Sequence, residues 1–227
     1  MPPAPETERK PFAARGSRVN RCTGCLMAQT ACICDIRPEN VPCRAQFWLI
    51  MHPEEIYKPT NTGRLLADCL PDTRVFYWYR TQPDQALLDL LADPSYQPFI
   101  IFPDDMEDYA HRVVQFEPVM TPQPEKIPVF IILDGTWRQA RRMFRKSAYL
   151  AELPVLPLKT DRLTRYALRK PASDQHLCTV EVGIELLKQA GEATAAEAVE
   201  SYFDSFNRRY AKSRGLREEV IERINRV

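Results

Sequence analysis

The chain has 227 residues, 44% hydrophobic and 27% charged, with a formal net charge of +1. That length supports one sizeable core, and the near-neutral balance excludes a uniformly basic coat, so any cationic surface has to be local. The longest apolar runs, FWLIM and VFIIL, are far too short to cross a bilayer, and the first residues lack the apolar segment of an export signal. A cytoplasmic protein with no membrane partner is expected.

Residues 1–20 are proline-rich and charged and read as an irregular arm. RCTGCLMAQTACICD follows, in which Cys22 and Cys25 form a C-x2-C knuckle and Cys32 and Cys34 a C-x-C pair. Thiolates this close together can complete a tetrahedral zinc site with no open coordination position, which makes the expected zinc structural. Four unrelated cysteines, or a redox pair at Cys22 and Cys25, are the alternatives. Arg18 and Arg21 beside the knuckle suggest a basic edge toward RNA. Cys43, Cys69 and Cys178 read as small core residues. The odd total of seven cysteines fits a reduced compartment better than a disulfide framework.

From residue 45 strands alternate with helical patterns. Strands are expected at 45–51, 74–79, 98–102 and 129–133, with a fifth at 154–158 shortened by its prolines. Helical patterns lie at 64–70 and 84–93, in the arginine-rich stretch after 137, and at 163–169, 178–190 and 195–212. The last stretch, LREEVIERINRV, reads as a peripheral helix. This rhythm predicts an α/β protein whose largely parallel sheet has helices on both faces.

Ligands of such sheets bind beyond the carboxyl ends of the strands, which selects the loops 58–64, 134–137 and 159–166. In the first, Thr60, Asn61 and Thr62 precede Gly63 and suit a helix start, with or without a ligand. In the second, Asp134 follows the buried run VFIIL and is either a general base or a cap for the next helix. Trp137 is either a stacking surface for uracil or adenine or a core anchor. Arg138, Arg141, Arg142 and Arg145 fall at i, i+3, i+4 and i+7 on one helical face, and Lys146 follows. Five cations without an acid favour phosphate contact. Arg64 suits either an anionic ligand or a structural ion pair. The three histidines are scattered, and there is no dinucleotide fingerprint, P-loop or nucleophile elbow.

D-x-T-W at 134–137, directly after an apolar strand, resembles the signature of the DTW-domain family. The cysteine cluster, PTNTGRL at 59–65, ARRMFRKS at 140–147 and CTVE at 178–181 agree with it in order, and the resemblance is nearest to the bacterial tRNA-uridine aminocarboxypropyltransferases. It implies transfer of the 3-amino-3-carboxypropyl group of S-adenosylmethionine to N3 of a uridine in the tRNA variable loop, releasing methylthioadenosine. It also implies a SPOUT-like fold with a C-terminal trefoil knot, which periodicity could not reveal. On that reading 21–43 is a zinc module, 44–213 the catalytic domain and 214–227 a tail.

The resemblance assigns cofactor contacts to Thr62, Leu133, Gly135, Thr136, Leu158, Arg162, Tyr166, Thr179 and Glu181. It makes Asp134 and Trp137 catalytic candidates and leaves Arg138, Arg141, Arg142, Arg145 and Lys146, with Arg64, to tRNA. A monomer is favoured over a dimer. A SPOUT-type RNA methyltransferase and a non-enzymatic zinc-containing RNA-binding protein are the rival readings.

Overall fold

The computed structural model describes residues 19–39, 41–105, 107–116, 126–160, 162–166 and 177–215. The arm before Val19, Arg18 with it, and the tail beyond Gly215 lie outside the described residues. Five strands form one sheet: β1 Gln46–Met51, β2 Arg74–Tyr77, β3 Tyr96–Ile101, β4 Ile127–Asp134 and β5 Val155–Leu156. Their order is β2-β1-β4-β3-β5, and every pairing is parallel. Pro154 and Pro157 flank β5, and it runs for only two residues, as proline's missing donor dictates.

The run VFIIL is apolar throughout because β4 is central and covered twice. Phe130 and Ile132 pack with Phe47, Leu49 and Met51 on one face, whereas Val129, Ile131 and Leu133 pack with Trp48 and Ile50 on the other. The first face is covered by α1 Gly63–Cys69, α4 Thr179–Gln189 and α5 Ala193–Ser213, and the second by α2 Gln85–Ala92 and α3 Trp137–Lys146. Each buried aliphatic or aromatic side chain contributes roughly 1.5–3 kcal/mol, so alternation along two central strands is a strong determinant of register.

The chain leaves β1 onto one face through α1 and leaves β4 onto the other through α3. A crevice therefore opens at the carboxyl ends of these two neighbouring strands, where parallel sheets hold their ligands. Met51 pairs with Asp134 at that edge, and His52 N–H donates to the Asp134 carbonyl at 2.9 Å.

The cysteine segment is not a separate lobe. Cys25, Met27, Ala31 and Ile33 are buried in the same cluster as α1, α4 and α5. Arg209 of α5 donates to the carbonyl of Cys32, and its Nη2 pairs with Asp35 at 3.0 Å.

One expected helix is absent. Residues 162–166 have no regular secondary structure, and 167–169 lie outside the described residues. Thr160 and Thr164 hydroxyls accept from the N–H groups two residues on, of Arg162 and Tyr166, each at 3.1 Å. Such local bonds compete with a helical ladder. The loop is then fastened by Arg162 to Glu185 and Glu200, and by Arg165 to Glu200 and Asp204.

Candidate active site and metal centre

A cavity of about 980 Å³ occupies the crevice. Its walls come from the loop after β1, the ends of β3 and β4, the loop after β5 and the start of α4. Thr62, Leu133, Gly135, Thr136, Leu158, Arg162, Tyr166 and Thr179 all line it, and so do Asp134, Trp137 and Arg138. The loop after β3, with Phe102 and Asp104, also contributes. The three-loop expectation left it out, although the strand-end rule that selected the others applies equally to it.

Asp134 is only 3% exposed and joins three segments. Asn61 Nδ2 donates to its Oδ2 at 2.5 Å, and Thr179 Oγ1 donates to its Oδ1 at 2.6 Å. Asn61 is itself held, because its Oδ1 accepts from Arg64 N–H at 3.2 Å. Gly63 makes the approach feasible, since a Cβ there would lie 2.9 Å from Asp134 Oδ2. The cap of α3 is Thr136, which with Gln139 forms a capping box, so the helix-cap alternative for Asp134 does not hold.

Trp137 packs against the core and also faces the cavity. It is partly exposed, lines the cavity, and stacks on Phe102 at 5.4 Å with rings 17° apart. Ala140 and Met143 bury the inner face of α3, and Arg138, Arg142, Arg145 and Lys146 are exposed on the outer one. Arg141 lies over the Trp137 ring at 5.8 Å and Arg142 over Trp78 at 5.9 Å. Flat guanidinium groups on aromatic faces are suited to phosphates and bases.

Two expected ligand contacts are replaced by structural roles. Arg64 is 3% exposed, and its Nη1 donates to the Cys25 carbonyl at 2.6 Å. It therefore offers no surface to RNA and ties α1 to the cysteine segment. Burial pulls its pKa below the usual guanidinium value, opposed by the carboxylates of Asp68 and Asp134. Glu181 is fully buried and does not line the cavity. It accepts from Cys178 N–H at 2.9 Å, Thr164 Oγ1 at 2.7 Å and Arg165 N–H at 2.6 Å. It caps α4 and pins the loop after β5. Arg162 reaches the cavity, but Glu185 and Glu200 already pair with its guanidinium at 2.9 and 2.8 Å.

The cysteine sulfurs of Cys22, Cys25, Cys32 and Cys34 lie within 4.8 Å of one another. The Cys22–Cys34 and Cys25–Cys32 sulfur separations are 3.7 and 3.8 Å. A zinc ion bonded to four thiolates at about 2.3 Å requires sulfur separations of about 3.8 Å, so the cluster fits a metal of that kind. Backbone N–H groups of Cys25 and Gly24 lower the Cys22 thiol to about 6, toward the ligating thiolate form. No disulfide links these residues.

With this geometry in hand, a family model for the DTW domain matches residues 19–211. The chain belongs to the DTW-domain family. Among curated relatives of this DTW domain, tRNA-uridine aminocarboxypropyltransferase 2 of Macaca fascicularis is 26% identical over 165 residues, covering 70% of this chain and 53% of that protein. The protein of the same name from Mus musculus is 25% identical over 184 residues, covering 79% and 56%. The chain thus spans about half the length of these relatives. No solved structure gives a significant match. The DTW match covers the cysteine cluster together with the cavity, in keeping with their shared core. No described helix is long and apolar enough to cross a membrane.

Proposed function

We propose that this DTW protein transfers the 3-amino-3-carboxypropyl group of S-adenosylmethionine to N3 of a uridine in tRNA, within a SPOUT-like knotted fold. The observation that carries the reading is the buried Asp134 carboxylate, held by Asn61 and Thr179 in the wall of a roomy cavity beside an arginine helix. The relatives' names supply the substrate class: uridine of tRNA.

The cavity suits such a co-substrate. It has apolar walls at Leu133 and Leu158, hydroxyls at Thr60, Thr62 and Thr164, and an anion at Asp134 that complements a sulfonium. When bound, S-adenosylmethionine supplies a carbon activated by positive sulfur. The reaction forms a bond from uridine N3 to that Cγ, breaks the Cγ–sulfur bond and releases neutral methylthioadenosine. The N3 proton must leave, and Asp134 is the acceptor, with Asn61 and Thr179 fixing the orientation of its carboxylate. Correct placement of Cγ in preference to the methyl group decides the product, and such orientation is worth about 7–11 kcal/mol of the barrier. Trp137 and Phe102 offer aromatic surface for the uracil, and the outer arginines of α3 take phosphates. The four cysteines would hold a structural zinc at the base of α1 and α5.

The test uses tRNA and S-adenosylmethionine labelled either in the methyl or in the carboxyl group. Carboxyl label alone should enter RNA. Entry of methyl label alone establishes methyl transfer instead, and binding of tRNA with entry of neither label leaves only the RNA-binding role.

A further inference from the structure

A second, smaller cavity of about 230 Å³ lies between α3 and the 3-10 helix Glu107–Arg112. Phe102 lines both cavities and forms the partition between them. Of its lining, the transfer reaction draws only on Phe102 and the arginines of α3. Its walls are aromatic: Phe102 and Phe144 stack at 4.1 Å with rings 7° apart, and Tyr109 meets Phe144 edge-on at 4.9 Å. Arg112 is a fixed wall as well. Its Nε and Nη2 donate to the carbonyls of Leu153 and Leu150 at 2.9 and 2.8 Å, and its guanidinium carbon lies 5.4 Å from the Phe144 ring centre. Arg141 and Arg145 bring positive charge, and Asp108 places one carboxylate beside them.

The placement relative to the main cavity is informative. Arg138 lines the main cavity, while Arg141 and Arg145 line the small one, all on one face of α3. Seven residues of helix separate Arg138 from Arg145, about 10 Å along the axis. That is the reach of a nucleotide or two in an unstacked strand, with arginines spaced between the cavities to meet the linking phosphates. The partly exposed Phe144 ring and the flat, exposed guanidinium of Arg145 are surfaces on which a base can lie, and the Asp108 carboxylate can accept from a base N–H or amino group. The space is too small for the co-substrate, and its aromatic walls and Asp108 do not suit a free inorganic anion.

We propose that this cavity receives a second unstacked base of the same RNA strand, one or two nucleotides from the target uridine, so that the enzyme reads a flanking nucleotide while it modifies its neighbour. The inference rests on the RNA substrate of the proposed function and adds a site to it. The experiment uses the full chain and synthetic tRNA carrying an abasic site at each of the two positions on either side of the labelled nucleotide. Affinity should fall roughly tenfold at one of these positions, the scale of a lost base–aromatic stack. Ala148 and Ala151 are exposed and line the cavity, so Ala148→Trp or Ala151→Trp fills it without removing a cation. In the folded variant, intact tRNA should bind roughly tenfold more weakly, and the abasic substitution should cost nothing further. Equal affinity for all four abasic tRNAs, or an undiminished abasic effect in both filled variants, overturns the second site. Either result with label transfer intact leaves the transferase reading standing. A persistent flanking preference without transfer overturns the transferase reading alone.

Discussion

Asp134 is held by two partners that lie 73 and 45 residues away in the chain, Asn61 and Thr179. Both donate to it, so they fix the orientation of the carboxylate in the cavity wall. In Asp134→Asn the new amide oxygen still accepts from Asn61, and the new amide nitrogen donates to Thr179, whose hydroxyl rotates to accept. The substitution therefore preserves the shape and removes the charge. Turnover should fall by roughly 10²–10⁴-fold, the range for a lost general base, while tRNA affinity changes by less than about twofold. Single-turnover kinetics beside a binding titration check this, and unchanged turnover removes Asp134 from proton transfer.

Among the elements, α1 is placed by two glycine contacts of different consequence. Gly63 lets the helix start pass beside the carboxylate, whereas Gly183 of α4 lets the helix pair close, with a hypothetical Cβ only 2.5 Å from Leu66 Cδ2. Overpacking of a tight core costs about 1–3 kcal/mol. Gly183→Ala should therefore lower the melting temperature by several degrees and leave the rate per folded molecule nearly unchanged. Gly63→Ala should do the reverse, displacing Asp134 and reducing turnover more than stability. Melting curves and active-site-normalised rates for the pair distinguish the two effects, and parallel losses in both variants contradict the separation. The loop after β5 shows a related division of labour: Arg162, Arg165 and Glu181 fasten it to α4 and α5, leaving Leu158 and Tyr166 to shape the cavity.

At the scale of the whole molecule, the cysteine segment is part of the same core as the cavity. Arg64, the second residue of α1, bonds to the Cys25 carbonyl and follows Gly63, so the cluster and Asp134 share α1 as a support. Met27 and Ile33 are fully buried and contribute roughly 1.5–3 kcal/mol each. Stripping the metal with a strong chelator should loosen both, lowering the melting temperature by about 10 °C on the usual scale of 2–4 °C per kcal/mol for a domain of this size. Scanning calorimetry with parallel metal analysis checks the effect. A melting temperature unaltered by complete removal of zinc overturns the structural role of the site.

The amino-acid sequence by itself determined the features that depend on neighbours along the chain. VFIIL could only be a doubly covered strand, Asp134 had to fall at its end, the arginines had to share a helix face, and the four cysteines lay close enough to converge. Tertiary structure decided what those residues meet. Asn61 looked like an ordinary helix-start residue until the pairing of β1 with β4 brought it to Asp134. Arg64 and Glu181 looked like ligand contacts, but burial turned them into internal ties. The pattern at 163–169 looked helical, yet in its described part threonine hydroxyls and distant carboxylates offered better partners than a helical ladder. Local periodicity reports which face of an element is apolar, whereas partnership among buried polar groups is settled only when segments far apart in the chain are packed together.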